Sequence, residues 1–329
     1  MSALAPTLQA FFTDRLIRQR NVSPNTIAAY RDTLKLLLTF ATDRLGRQPN
    51  QLDIGELDAT VIGAFLEHLE TDRHNSVRTR NARLAAIHSL YRYAAIRHPE
   101  HAQDIQRVLA IPLKRTDRPL VTFLDRAEIN ALINAPDRST WTGRRDHALL
   151  VLAIQTGLRA TELTGLNVGD VQLATGAHVN CRGKGRKERI TPLTTITIAV
   201  MRVWLAERQG RPHEPLFPTS PGRPLSRDGL KRRLTKHLHL ATESCPSLAH
   251  KNVTLHSLRH TAAMQLLQAG VDTTVIALWL GHERVDTTRV YLHADLALKE
   301  RALARTKPPD TTPGRYQPPD TLLAFLEAL

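Results

Sequence analysis

Four short stretches of this sequence carry residue types that can do chemistry on a phosphate. They are "TGLRATEL" with Arg159, "GKGRKERITPL" with Lys184, "LHSLRHTAA" with His256 and Arg259, and "LGHERVDTTRVY" with His282 and Tyr291. Arg159 follows Gly157 at a break between two helical patterns. A guanidinium fork there can meet a phosphate bidentately, or it can simply sit on the surface at a helix end. His256 and Arg259 are three residues apart, hence on one helix face, and Thr254 before them is a good N-cap type. The pair therefore lies near the positive end of a helix dipole, which favours a bound anion. His256 and His260 have the four-residue spacing of a helical metal pair, but the Glu of an HExxH motif is missing and no third ligand is evident, so zinc is not expected. Lys184 stands between Gly183 and Gly185, either as a solvated turn residue or as a general acid that protonates a leaving alkoxide. Tyr291 is one of only five tyrosines. It is either an aromatic packed under a helix or a nucleophile. A phenol with an ordinary pKa of about 10 attacks poorly from water, and clustered arginines would ease its ionisation.

The elements that must position these groups are mostly helical. Ser23-Pro24 is a helix start, with Ser as N-cap and Pro in the first turn, and Ile27, Tyr30, Leu34, Leu37 and Leu38 then recur at three- and four-residue steps. Further stripes run through Val61, Phe65, Leu66 and Leu69, and through Leu84, Ile87, Leu90, Tyr91 and Ala94, closing at Pro99. Arg78, Arg80, Arg83, Arg92 and Arg97 are read as lying on the outer faces of this helical domain. "IPLKRTDRP", residues 111–119, lacks periodicity and reads as a linker. Beyond it, Asp125 and Glu128 form a capping-box pattern, and a strongly apolar helix ends near Gly157. "AHVNCRGKGRKERITPL" reads as a β-hairpin with a basic tip, and helices return at 194–209, 226–240 and 254–269. "TKPPDTTPGRYQPPD" is a proline-rich arm ending in the short apolar stretch "TLLAFLEAL". The expected fold is mainly α with a small β-hairpin or sheet. Its parts are a helical domain at 1–110, a linker at 111–119, a second domain at 120–306, and the arm with its C-terminal helix at 307–329.

The chain has 329 residues, 42% of them hydrophobic, enough for two folded domains. Its formal charge of +14 points to a polyanionic partner, the other reading being a surface kept soluble by excess charge. Cys181 and Cys245 are the only cysteines, which excludes a disulfide framework and a Cys-rich zinc site and suits a reducing compartment. No signal peptide and no apolar run of about 20 residues is present, so a cytosolic protein without a membrane partner is expected. A GxxxxGK[ST] loop and a paired-carboxylate cluster are also missing, consistent with chemistry that uses neither ATP nor a metal.

In order and spacing, the four stretches closely resemble the tyrosine recombinase (phage integrase) family, and "NVSPNTIAAYRDTLKLLLTFA" is similar to the start of that family's core-binding domain. The resemblance covers roughly residues 20–300. It implies a C-shaped clamp in which the helical core-binding, SAM-like domain and an α+β catalytic domain grip opposite faces of duplex DNA. By the same resemblance, Arg159 and Arg259 clamp the scissile phosphate and Lys184 protonates the leaving 5′-oxygen. His256 assists proton transfer, His282 hydrogen-bonds a non-bridging oxygen, and Glu162 supports the site. Tyr291 attacks phosphorus to give a 3′-phosphotyrosyl bond, which stores the bond energy without a cofactor. Arg78, Arg80, Arg83, Arg186 and Lys187 are candidate DNA contacts. The resemblance further implies a site-specific recombinase of a bacterial mobile element, nucleoid-associated in the cytoplasm. It would act as a dimer on DNA and a synaptic tetramer, with C-terminal helix exchange between subunits and room for an accessory recombinase or DNA-bending protein. Two other readings stay open. A helix-turn-helix regulator would bind DNA without cutting it, with Tyr291 in its core. A type IB topoisomerase-like enzyme would share the phosphotyrosine step but act alone. Target sequence, and the choice among integration, excision, resolution and transposition, are not written in the chain.

Overall fold

The helix starts read in the sequence are formed by the side chains expected to make them. Ser23 Oγ accepts the Thr26 N–H at the head of α2 (Pro24–Leu45), and Asp125 accepts the Glu128 N–H at the head of α6 (Arg126–Asn134). Glu128 returns the bond to the Asp125 N–H at 2.9 Å, completing the reciprocal cap. The computed structural model describes residues 4–116, 121–183, 188–220 and 222–281, together with Thr288 and Tyr291. Its chain divides into two compact units, Met1–Pro119 and Leu120–Leu329.

The first unit is helical among its described residues. It contains α1 (Leu4–Ala10), which runs on as a π-helical stretch (Phe11–Gln19), then α2, α3 (Ala59–Thr71), α4 (Val77–Arg97) and α5 (Ala102–Leu109). The predicted stripes face one core, in which Leu34, Leu37, Phe65, Leu69, Leu84 and Ile87 are buried. Arg80 does not lie on an outer face. It precedes Leu84, Ile87 and Tyr91 at helical spacing, so α4 turns it inward, where it is 6% exposed. Its guanidinium donates to the Pro112 carbonyl at 3.1 Å, and its neighbour Asn81 donates to the Lys114 carbonyl at 2.8 Å. Arg80 therefore pins residues 111–116 to α4 rather than presenting itself to DNA. Arg83 is half-buried, which lowers its pKa, whereas Arg78, Arg92 and Arg97 are exposed as expected.

The second unit packs helices on one another and adds a small sheet. α7 (Trp141–Thr156) is buried along much of its length, from Ala148 to Ile154, and packs on α9 (Thr195–Arg208) and α11 (Leu255–Gln268). α8 (Ala160–Thr164), α10 (Arg227–Ser244) and α12 (Thr273–Leu280) complete the helices described. α10 outruns its expected end by a turn, because Ala241 continues the buried face of Leu230, Leu234 and His237. The expected hairpin is β2 (His178–Arg182) against β3 (Glu188–Pro192), antiparallel, with Cys181 opposite Arg189 and Val179 opposite Thr191. A two-residue strand β1 (Val171–Gln172), not foreseen, adds to β2 and makes a three-stranded sheet in the order β1-β2-β3. Lys184, Arg186 and Lys187 at the expected hairpin tip, His282, and the segment expected to form the C-terminal arm and helix lie outside the described residues. Among the described residues no helix is long and apolar enough to cross a membrane.

Candidate active site

Two helices of the second unit end on a left-handed glycine, and their ends create the site. α7 stops at Gly157 (φ 63°) and α12 at Gly281 (φ 64°), both left-handed turns that side chains with a Cβ adopt at a cost. A Cβ on Gly157 would stand 2.7 Å from Leu280 Cδ2, and one on Gly281 2.9 Å from Arg189 Nη1. Glycine thus lets the ends of α7, α12 and the sheet meet. Carbonyls at helix ends lack partners inside the helix and carry the negative end of the dipole. Two arginines satisfy them. Arg259, on α11, donates to the Gly157 carbonyl at 2.8 Å and the Leu280 carbonyl at 2.6 Å. Arg159, at the N-terminus of α8, donates to the Gly281 carbonyl at 3.0 Å.

One carboxylate ties this arrangement to the sheet. Glu162 accepts the Arg159 N–H at 2.8 Å and the Arg159 guanidinium at 2.8 Å. Arg189, on β3, reaches the same carboxylate with both terminal nitrogens, at 3.0 and 2.8 Å. Burial by itself would raise the Glu162 pKa, but the hydrogen bonds from Arg189 and from the Arg159 backbone, with the Arg189 charge, hold it at about 2. Arg259 is 2% exposed, and burial first, then the neighbouring Arg159 charge, lowers its pKa to about 10. The Arg259 guanidinium therefore remains charged at neutral pH.

Tyr291 lies beside them. Its ring is 2% exposed and packs with Ala263, Met264, Leu267, Ile276 and Leu280. Its hydroxyl is 3.0 Å from Nδ1 of His260, and the two rings meet edge to face with centroids 5.5 Å apart. Burial raises the phenol pKa, while the charges of Arg259 and Arg159 pull it down. His260 in turn packs edge-on against His256 at 4.5 Å. Burial, then the His256 and Arg259 charges, push the His260 pKa down to about 4, so its ring is neutral at pH 7.

Of the residues singled out in the sequence, Arg159, Glu162, His256, Arg259 and Tyr291 are brought into this one neighbourhood by the contacts above, while Lys184 and His282 fall outside the described residues. Two further members were not assigned from sequence. His260 was weighed only as half of a metal pair, although its place one residue after Arg259 was visible. Arg189 sits in a strand whose alternation is inverted: Ile190 is 63% exposed, while Arg189 shares the inward side with fully buried Thr191. A charged residue on the inner face of a strand is the signal that could have identified it.

Residues 122–297 match the Phage integrase family, and residues 10–98 match the Phage integrase N-terminal SAM-like domain. The chain is 56% identical over 328 residues to the "Putative integrase/recombinase y4rC" of Sinorhizobium fredii, covering 100% of this chain and 99% of the relative. It is 32% identical over 314 residues to the tyrosine recombinase XerC of Pelobacter propionicus, covering 95% and 99%. Among solved structures it is similar to the XerH site-specific recombinase bound to a palindromic difH substrate, with a TM-score of 0.67 at 23% identity over 87% of this chain and 81% of that one. It is similar also to the Tn1549 transposon integrase in complex with a circular intermediate DNA, with a TM-score of 0.68 at 18% identity over 91% and 99%. With a helical SAM-like domain, a catalytic domain of helices and a small sheet, and an arginine-rich site against a tyrosine, the chain belongs to the phage integrase family of tyrosine recombinases and is a site-specific DNA recombinase.

Proposed function

We propose that this chain breaks and rejoins duplex DNA through a covalent bond between Tyr291 and a 3′-phosphate, within a tetramer that pairs two DNA sites. The observation that carries the reading is the placement of the Tyr291 phenol beside two guanidiniums, Arg159 and Arg259, whose positive charges both favour its ionised form. The same charges would neutralise a five-coordinate phosphoryl transition state. Fixed carbonyls and Glu162 hold them, so little reorganisation is required when charge develops. Arg159, with 31% of its side chain exposed, is the guanidinium open to an arriving phosphate. In this reading Lys184 protonates the leaving 5′-oxygen and His282 binds a non-bridging oxygen. Arg78, Arg186 and Lys187 contact the DNA backbone. The energy of the broken phosphodiester is kept in the phosphotyrosine, so neither ATP nor a metal ion enters.

Burial of Tyr291 is also what a DNA-binding module with a tyrosine in its core would have. The hydroxyl pairing with His260, beside the guanidiniums of Arg259 and Arg159, is what favours the nucleophile instead. A duplex nicked next to the cleavage position traps the covalent product, because the short leaving strand diffuses away. Wild type is expected to accumulate a protein–DNA adduct and Tyr291→Phe none; equal adduct from both would exclude the tyrosine. Relaxation of plasmids lacking a target site, by a protein that stays monomeric, would point to a topoisomerase instead.

A further inference from the structure

The two histidines of α11 differ in what they touch. His260, not assigned a role above, stands at hydrogen-bond distance from the atom that must lose a proton before it attacks. We propose that His260 is the general base of the reaction, its Nδ1 taking the Tyr291 proton during cleavage and returning it during rejoining. This rests on Tyr291 being the nucleophile.

A separation of 3.0 Å is within the reach a base requires, with no intervening water. The His260 ring is held on two sides, edge to face against Tyr291 and edge-on against His256. Helix α11 is fixed at its start by Thr254, which caps it, and is locked to the domain by Thr261, whose hydroxyl accepts the Leu124 N–H at 3.0 Å. The base is therefore carried by a rigid element one residue from Arg259. Protonation state agrees. A neutral imidazole has one acceptor nitrogen, and His260 is neutral at working pH. A phenol gives up its proton far more readily than a neutral imidazole N–H, so the favoured tautomer carries its proton on Nε2 and accepts the Tyr291 O–H at Nδ1.

The step balances without other reactants than those of the proposed reaction. The phenol O–H bond breaks and an N–H bond forms on Nδ1, leaving an imidazolium. The phenolate electron pair forms the new P–O bond, and the bond from phosphorus to the 5′-oxygen breaks, that oxygen taking a proton from the general acid. In rejoining, the 5′-hydroxyl returns its proton to the conjugate base of the general acid as it attacks, tyrosine leaves, and the imidazolium gives the tyrosinate its proton back. A base of low pKa is uphill of a phenol on its own. Phosphate entry brings negative charge that stabilises the imidazolium, while Arg259 and Arg159 stabilise the phenolate. The groups that bear on the titration of His260 are thus His256 and Arg259 on its own helix, with the Tyr291 hydroxyl facing it.

His260→Asn tests this, since its amide oxygen can occupy the place of Nδ1 and accept a hydrogen bond but cannot take a proton. Adduct formation on the nicked duplex, in single turnover with DNA binding checked by gel shift, should fall by roughly 10²- to 10⁴-fold. The residual rate should climb with pH toward the phenol pKa, as solvent base replaces the histidine. Replacing the bridging 5′-oxygen by sulfur removes the need for an acid and not for a base, so the defect should persist on that substrate. An H260N rate within threefold of wild type, or a defect erased by sulfur, would overturn the proposal. Should H260N fail to bind DNA, ¹⁵N NMR of the histidines in the wild-type protein decides. Nδ1 of His260 must be the unprotonated nitrogen and must shift in Tyr291→Phe; a proton residing on Nδ1 refutes the role. Adduct formed by Tyr291→Phe would sink the nucleophile and His260 together, whereas an inactive Tyr291→Phe with an H260N of wild-type rate removes only His260.

Discussion

At the residue scale, the site is organised by Glu162 as much as by the arginines. Its carboxylate receives four hydrogen bonds from Arg159 and Arg189 and is 5% exposed. Removing its charge leaves two guanidiniums facing one another, so Glu162→Gln should lower stability by about 3 kcal/mol and cut adduct formation with it. Urea midpoints and single-turnover rates would read both; an unchanged midpoint would mean that the arginines find other partners. Two depressed pKa values within the site contribute to the pH dependence of stability. His260 drops from 6.5 to about 4, so its contribution is complete above pH 6.5 and is lost as pH falls toward 4, because only the unfolded chain takes up the proton. Glu162 drops from 4.5 to about 2, so its contribution is lost between pH 4.5 and 2. Stability should therefore fall on acidification, and E162Q should shrink the part of the loss that falls between pH 4.5 and 2. The residue types for this site were legible in the sequence, but their partners were not. Nothing in "GRKERI" says that Arg189 reaches Glu162, and nothing in "LRH" says which histidine meets the phenol; both contacts are made between segments remote in the chain.

At the element scale, the helix ends were the most legible feature, because capping is local chemistry. Ser23, Asp125 and Thr254 start helices in the structure, and Gly157 ends one. What sequence reading missed was the second use of those ends, as acceptors for Arg159 and Arg259. The glycines make that use testable. Gly157→Ala places a Cβ in a left-handed turn and against Leu280 and Ala262, which should cost about 1–3 kcal/mol. A melting temperature lower by several degrees, with adduct formation falling more than the lost stability explains, is the expected result. An unchanged melting temperature would mean that α12 shifts without cost. Arg80 carries a complementary lesson. Its exposure was inferred from charge type, yet the stripe Arg80, Leu84, Ile87, Tyr91 already placed it on the buried side of α4. Periodicity outweighs residue type when the charged head finds a carbonyl, here that of Pro112.

At the scale of the whole molecule, the chain forms two units, each with its own core. The charge of +14 should make DNA binding steeply salt-dependent, with log K falling linearly against log salt concentration as counterions are released. Arg78→Ala, on an exposed position of the first unit, should reduce that slope by about one, whereas Arg80→Ala should act through stability instead. Equal slopes for wild type and Arg78→Ala would remove Arg78 from the interface. Adduct formation should proceed undiminished in EDTA and without nucleotide, since the arginines supply the positive charge that a metal would otherwise bring; inhibition by EDTA that added Mg²⁺ reverses would contradict this. The central claim, that one tyrosine joins the protein to DNA, is tested most directly by protease digestion of the trapped adduct and mass spectrometry of the peptide that carries the nucleotide. The nucleotide is expected on Tyr291 and on none of Tyr30, Tyr91, Tyr93 or Tyr316; a linkage at any other residue would rule out Tyr291 as the nucleophile.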